Sequence, residues 1–133
     1  MKEIEILNLE KINHSSNLIV AEIKKNFNFL CKRFFFIIGK KNEIRGNHAH
    51  KKQLQLIVCL TGSCQLDFDN GFEKKSILLN TNTIGIKVSA KTWGVQKYLE
   101  KNTILLVLSD SSYDEKDYIR DYKEFKNFIR NKY

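Results

Sequence analysis

The sequence predicts an all-β domain, a sandwich or barrel of short strands closed by one C-terminal α-helix. From Ile4 to Leu108, short apolar and β-branched runs alternate with turn signals, and helical periodicity is absent. After Ser112 the period changes to that of a helix. The 133 residues, 42% of them hydrophobic, suffice for one domain (1–133) with a core and are too few for two.

Each element has its own signal. FFFII (34–38) is a strand run, and LQLIVCL (54–60) is apolar enough for a strand buried on both faces. TGS (61–63) is a turn, after which CQLDFD (64–69) alternates Cys64, Leu66 and Phe68 with polar partners. Asn70-Gly71 signals a hairpin, because both residue types tolerate positive φ. SILL (76–79), IGIKVSA (84–90) and TILLVLS (103–109) complete the set. Ser112-Tyr113-Asp114-Glu115 has the S-x-x-E form of a capping box, and Tyr118, Tyr122, Phe125 and Ile129 recur at helical spacing, a stripe for core packing. Proline is absent, so the turns rest on Gly, Asn and Ser.

Composition excludes several function classes. No run of eighteen apolar residues occurs, and MKEIEILNLEKI alternates charged with apolar side chains where a leader would need an apolar block, which predicts a cytoplasmic protein without a membrane span. Cys31, Cys59 and Cys64 are odd in number and lack C-x-x-C spacing, so they are read as buried reduced thiols. The net charge of +8 would suit a nucleic-acid partner, but only Arg33, Arg45, Arg120 and Arg130 of the 23 basic residues are arginine, and the lysines are scattered. The reading is no nucleic acid, with the excess charge attracting a small anionic substrate.

RGNHAHK (45–51) carries the chemistry. Side chains alternate faces along a strand, so His48 and His50 converge on one cavity across small Ala49. Histidine's ordinary pKa of about 6.5 lets it accept and return a proton near neutrality. Arg45 supplies a fixed guanidinium fork for an enediolate or a diphosphate, and Arg33 is a similar candidate. Trp93 is a candidate to pack on a nucleotide or sugar, with a core tryptophan as the alternative. His14 is read as a surface residue in a loop.

The pattern resembles the cupin jelly-roll barrels. Their first motif has His-x-His, a glutamate and a glycine; here His48 and His50 are followed by Gln55 and Gly62. Counting from Gly85, the place of their third histidine falls on Gln96 in KTWGVQKY. Two of four ligand places are thus neutral amides, weak donors for a transition metal, which predicts a cupin without a tightly bound metal.

More specifically, RGNHAHK, the tryptophan of KTWGVQ and YDEKDYIRDYKEF (113–125) together resemble the WxcM-like sugar nucleotide 3,4-ketoisomerases, which act on dTDP-4-dehydro-6-deoxy-glucose. The resemblance implies a cofactor-free and metal-free isomerase of deoxysugar biosynthesis. It also implies a homodimer exchanging N-terminal strands, with His48 and His50 catalytic and Arg45, Arg33, Trp93, Gln96, Gln55 and Lys51 around the substrate. Where the family often has Asp-x-Arg-Gly this chain reads Asn13-His14-Ser15-Ser16, and Phe36 stands where tyrosine is common. With no acid for a second ring face, a galacto product is expected. A sugar nucleotide 3,5-epimerase, a metal-dependent oxygenase and a non-catalytic sugar-binding cupin are the competing readings.

Overall fold

The computed structural model describes residues 1–13 and 15–132, with the backbone alone at Asn26; His14 lies outside the described residues. The chain begins with β1 (Ile4–Asn8), β2 (Glu10–Asn13) and β3 (Asn17–Val20), then one π turn (Ile23–Phe27). Next come β4 (Arg33–Gly39), β5 (Ile44–His50), β6 (Gln55–Thr61), β7 (Cys64–Asp69), β8 (Lys74–Leu79), β9 (Ile84–Val88), β10 (Trp93–Tyr98) and β11 (Thr103–Ser109). A 3₁₀ turn (Glu115–Asp117), β12 (Tyr118–Ile119) and α1 (Tyr122–Arg130) finish it.

Two five-stranded antiparallel sheets face each other, ordered β1-β9-β6-β11-β4 and β12-β5-β10-β7-β8. This is the jelly-roll arrangement expected from the sequence, made as two facing layers and not as one closed hydrogen-bonded barrel. Alternation fills the space between them. On β11, Thr103, Leu105, Val107 and Ser109 are buried, while Ile104, Leu106 and Leu108 face the other way. Leu105 and Val107 meet Ile57, Cys59, Leu66, Phe68, Leu79 and Ile86 in the main core. A side chain of this size, fully buried, contributes about 1.5–3 kcal/mol.

Both outer faces are partly covered. Leu56 and Val58 pack under Leu9 and Phe27, which is why β6 is buried on both sides. On the second sheet, Ala49 of β5 and Trp93 of β10 pack against Ile119, Phe125 and Ile129, so α1 closes the back of the strand that carries the histidines. No helix among the described residues is long and apolar enough to cross a membrane.

Three expectations are corrected. The helix starts at Tyr122 and not after Ser112; Asp121 is its N-cap and accepts from Glu124 N at 2.8 Å, a D-x-x-E box that competes successfully with the upstream S-x-x-E. Asn70-Gly71 does lie in a hairpin, between β7 and β8, but only Gly71 has positive φ (96°), and Asn70 instead accepts from the amides of Phe72 and Glu73, building a four-residue loop. Cys59 and Cys64 are buried free thiols as expected, but Cys31 is only half-buried.

Candidate active site

The site begins with an irregularity in β5. Gly46 and Asn47 both adopt left-handed φ, 82° and 55°. Across from them the β10 register slips, with His48 opposite Gly94, Gly46 opposite Val95 and Arg45 opposite Gln96. Asn47 is the extra residue of a β-bulge. Regular alternation would send Arg45 and His48 to opposite faces, whereas the bulge brings them to one. A Cβ at residue 46 would lie 2.7 Å from the Gly94 carbonyl oxygen, so only glycine fits there.

Beyond the bulge the alternation resumes. His48 and His50 point between the sheets, with ring centroids 5.0 Å apart, while Ala49 faces α1. Tyr118, paired with His50 in the β12–β5 ladder, sets its ring 4.4 Å from His50 and 5.0 Å from His48. A cavity of about 390 Å³ opens in front, lined by Arg45, His48, Gln55, Gln96, Tyr118 and Arg120 on its polar side and by Phe35, Ile37, Ile44 and Val107 on its apolar side. A smaller inner cavity shares His48, Gln55 and Gln96 and adds His50 and Gln53.

His50 is 7% exposed, and its Nδ1 lies 3.1 Å from Asp117 Oδ2. Burial pushes its pKa down to about 4, the neighbouring His48 adds to this, and the Asp117 hydrogen bond and charge work against it. The contact has the geometry of an ion pair, yet desolvation outweighs the carboxylate, so His50 is a neutral imidazole at pH 7. Burial also lowers His48, partly offset by a hydrogen bond with the Gly46 backbone. Gln96 is held by the buried Tyr98 hydroxyl, which donates to its Oε1 at 3.0 Å. The donor set at the four cupin ligand places is therefore two imidazoles and two amides, and no group of three His, Cys, Asp or Glu among the described residues is arranged to hold a metal.

Arg33 shares the inner face of β4 with Phe35 and Ile37. Its guanidinium carbon lies 5.1 Å from the Phe35 ring and 5.6 Å from the Tyr113 ring, and its Nε and Nη2 are buried without a hydrogen-bond partner. Arg120 at the cavity wall lies 4.2 Å over Tyr118 and makes a two-pronged contact with Glu115 at 2.6 and 2.9 Å.

Of the residues singled out in the sequence, the structure brings His48, His50, Arg45, Gln55 and Gln96 together, with Arg33 near His50. Two lie elsewhere. Trp93 faces the helix side of β10, 8% exposed, between Tyr122 (5.4 Å) and Phe125 (5.7 Å), so it is a core tryptophan. Lys51 lies past the end of β5, and its Nζ donates to the Lys116 carbonyl at 2.8 Å. Asp117, Tyr118 and Arg120 were missed, because residues 113–120 were assigned to the helix. Asp121-x-x-Glu124 was the available signal that the helix starts later.

The family model FdtA, described as WxcM-like, C-terminal, matches residues 2–130. The chain belongs to this family. A TDP-4-oxo-6-deoxy-alpha-D-glucose-3,4-oxoisomerase from Aneurinibacillus thermoaerophilus is 39% identical over 129 residues, 96% of this chain and 93% of that protein. QdtA, a sugar 3,4-ketoisomerase from Thermoanaerobacterium thermosaccharolyticum solved with TDP, superposes with TM-score 0.93 at 29% identity, covering 98% of this chain and 97% of its own. A 3,4-ketoisomerase from Helicobacter canadensis gives 0.91 at 34% identity, covering 96% and 98%. Membership in the FdtA family thus spans both sheets and the C-terminal segment that completes the site.

The buried imidazole has a consequence for stability. Below pH 6.5 an unfolded chain protonates His50 while the folded chain, with that pKa at about 4, does not. Stability is therefore expected to fall as pH drops from 6.5 to 4, by up to ~3 kcal/mol from this group at about 1.4 kcal/mol per pKa unit. Urea unfolding at successive pH values should show this loss, and the loss should be smaller in His50→Asn.

Proposed function

We propose that the protein is a TDP-sugar 3,4-ketoisomerase that moves the ketone of TDP-4-keto-6-deoxyglucose from C4 to C3 by histidine acid–base catalysis, without a metal. The observation that carries this reading is the pair of adjacent imidazoles on β5, His50 buried and His48 half-buried, with His48 on the wall of the open cavity and both lining the inner one. Both have lowered pKa values, and His50, with its pKa at about 4, is neutral at pH 7. The relatives' activity on the same substrate class supports it.

In the substrate, the C3 hydrogen lies beside the C4 carbonyl. A neutral imidazole takes that proton, the C–H electron pair forms the C3–C4 double bond, and the carbonyl oxygen becomes the enediol oxygen. O4 takes up a proton to complete the enediol, and return of a proton to C4 with loss of the O3 proton leaves the ketone at C3, so one hydrogen has moved from C3 to C4, one from O3 to O4, and nothing is consumed. Two adjacent imidazoles suit this because one exchanges protons with carbon and the other with oxygen. Arg45, on the same face by virtue of the bulge, stabilises the negative oxygen. The two unpartnered buried N–H groups of Arg33 fit an anionic diphosphate.

A homodimer goes with this reading. In the single chain β1 pairs with its own β9, and Phe34, Phe36 and Ile38 stand 66%, 59% and 60% exposed on the outer face of edge strand β4. Such a row is an aggregation hazard unless a second protomer covers it. Exchange of N-terminal strands is the proposed form of that association.

A 3,5-epimerase is the second reading, because His50 is paired with Asp117 and packed against Tyr118, a base–carboxylate–phenol grouping that epimerisation would also use.

Turnover is expected in EDTA without added metal, and His48→Asn and His50→Asn are each expected to lose about 10²- to 10⁴-fold in rate while staying folded. Proton NMR of TDP-4-keto-6-deoxyglucose with each protein checks both points; activity abolished by EDTA and restored by one divalent ion would contradict the first.

The product is expected to have the galacto configuration. In the gluco substrate the C3 hydrogen lies on the ring face that carries the C4 hydrogen of a galacto product. The wall facing the histidines is Phe35, Ile37, Val107 and Gln55, none of which delivers a proton near neutrality. Phe36, by contrast, projects away from the cavity, so its replacement of a tyrosine does not shape this wall. Trapping the product with an aminotransferase should give small H3–H4 and H4–H5 couplings; two large values would mean a gluco product.

A further inference from the structure

The hydrogen bonds around His50 have one consistent direction, set at one end by a carboxylate. We propose that Asp117 is a positioning residue that holds His50 as its Nδ1–H tautomer, leaving Nε2 as the nitrogen that exchanges protons. The ketoisomerase reading supplies the reaction, while the tautomer assignment stands on geometry.

Asp117 already accepts two backbone amides, Lys52 N on Oδ1 at 2.8 Å and Gln53 N on Oδ2 at 3.3 Å. A carboxylate in such a cradle has only lone pairs to offer the ring, so at 3.1 Å the hydrogen belongs to His50 Nδ1. The other side of the ring agrees independently. Ser109 Oγ donates to the Ser111 carbonyl at 2.9 Å, and Gln53 Nε2 donates to Ser109 Oγ. Gln53 is 3% exposed and Ser109 fully buried, so this amide is fixed with its Oε1 free to accept. Gln55 Nε2 lies 3.2 Å from that oxygen, and 3.4 Å from His50 Nε2. One N–H of Gln55 goes to Gln53, and the other points at the Nε2 lone pair.

Nothing among the described residues requires Nε2 to carry a hydrogen while His50 is neutral, and both neighbours place the hydrogen on Nδ1. The Gln55 contact at 3.4 Å is long and weak, so a substrate group entering the cavity displaces it at little cost. When Nε2 takes up a proton, Asp117 already faces the opposite nitrogen and stabilises the imidazolium without rearrangement. The backbone holds Asp117 in place, because Lys51 N donates to its carbonyl at 2.8 Å and Tyr118 next to it pairs with His50.

Asp117→Asn tests this directly. The amide oxygen keeps the shorter bond from Lys52 N and the longer one from Gln53 N is lost; the amide nitrogen then faces Nδ1 and can be met only by a lone pair, which moves the ring hydrogen to Nε2. Two-bond ¹H–¹⁵N spectra are expected to show His50 as Nδ1–H in the wild type and Nε2–H in Asp117→Asn, with kcat about 10²- to 10⁴-fold lower and KM changed by less than about threefold. A wild-type spectrum showing Nε2–H overturns the proposal, as does a variant that keeps Nδ1–H or keeps kcat within about threefold. A purely structural Asp117 would lower thermal stability and leave the tautomer unchanged. Should the variant not fold, the wild-type spectrum alone decides. That spectrum needs no turnover, so failure of the ketoisomerase reading is seen separately, as an absence of C3 ketone with the wild type.

Discussion

At Gly46 and Asn47 two successive residues turn left-handed, and β5 carries one residue more than β10 opposite. The polar side chains that β5 brings to the cavity are arranged around that step. It places Arg45 on the face of His48, and the alternation that follows sends Ala49 back toward α1 and His50 forward. The step survives because residue 46 has no Cβ to meet the Gly94 carbonyl. Strand pairing on both sides of β5, to β10 and β12, supplies the rigidity. The helix behind it, seated through Phe125 and Ile129 on Ala49 and Trp93, keeps that wall of the site from moving back.

Burial then tunes the chemistry. Desolvation is the largest influence on both histidines, and it leaves them less basic than in water, His50 clearly neutral. Two imidazolium ions 5.0 Å apart would repel, which disfavours holding two protons on the pair at once. Charge needed for an anionic substrate comes from outside the pair: Arg45 and Arg120 at the cavity wall and Arg33 near His50. Three of the four arginines are gathered at the site, although the lysines that dominate the +8 charge are dispersed. Guanidinium groups are used where direction matters, and lysines provide the background field.

Much of the fold was legible because its strands are strongly patterned. CQLDFD and TILLVLS correspond to β7 and β11 residue for residue, since the turn residues that bound them are unambiguous. The histidine pair was legible from period two alone. The place of Arg45 relative to it was not, because a bulge is a register relation between two strands and leaves only Gly-Asn as its mark in one. Residues 113–120 were misread for another reason. Tyr118 and Ile119 form a strand of two residues, too short for a period, and Tyr118 happens to fall in step with the true helical stripe of Tyr122, Phe125 and Ile129. That misreading hid Asp117, and with it the partner of His50. Trp93 was ambiguous in sequence, and the side of β10 it occupies follows from pairing with Asp69 and packing on α1.

In the proposed reaction the wall that carries His48 and His50 removes and returns hydrogen at C3 and C4 of a 4-keto sugar and nowhere else. Proton NMR of TDP-4-keto-6-deoxyglucose incubated with the protein in D₂O measures this most directly. The expected result is loss of the H3 resonance and appearance of a C3 ketone, with H5 retained as protium. Exchange of H5, or C3 inversion with the ketone still at C4, would contradict it and point to epimerase chemistry at the same histidines.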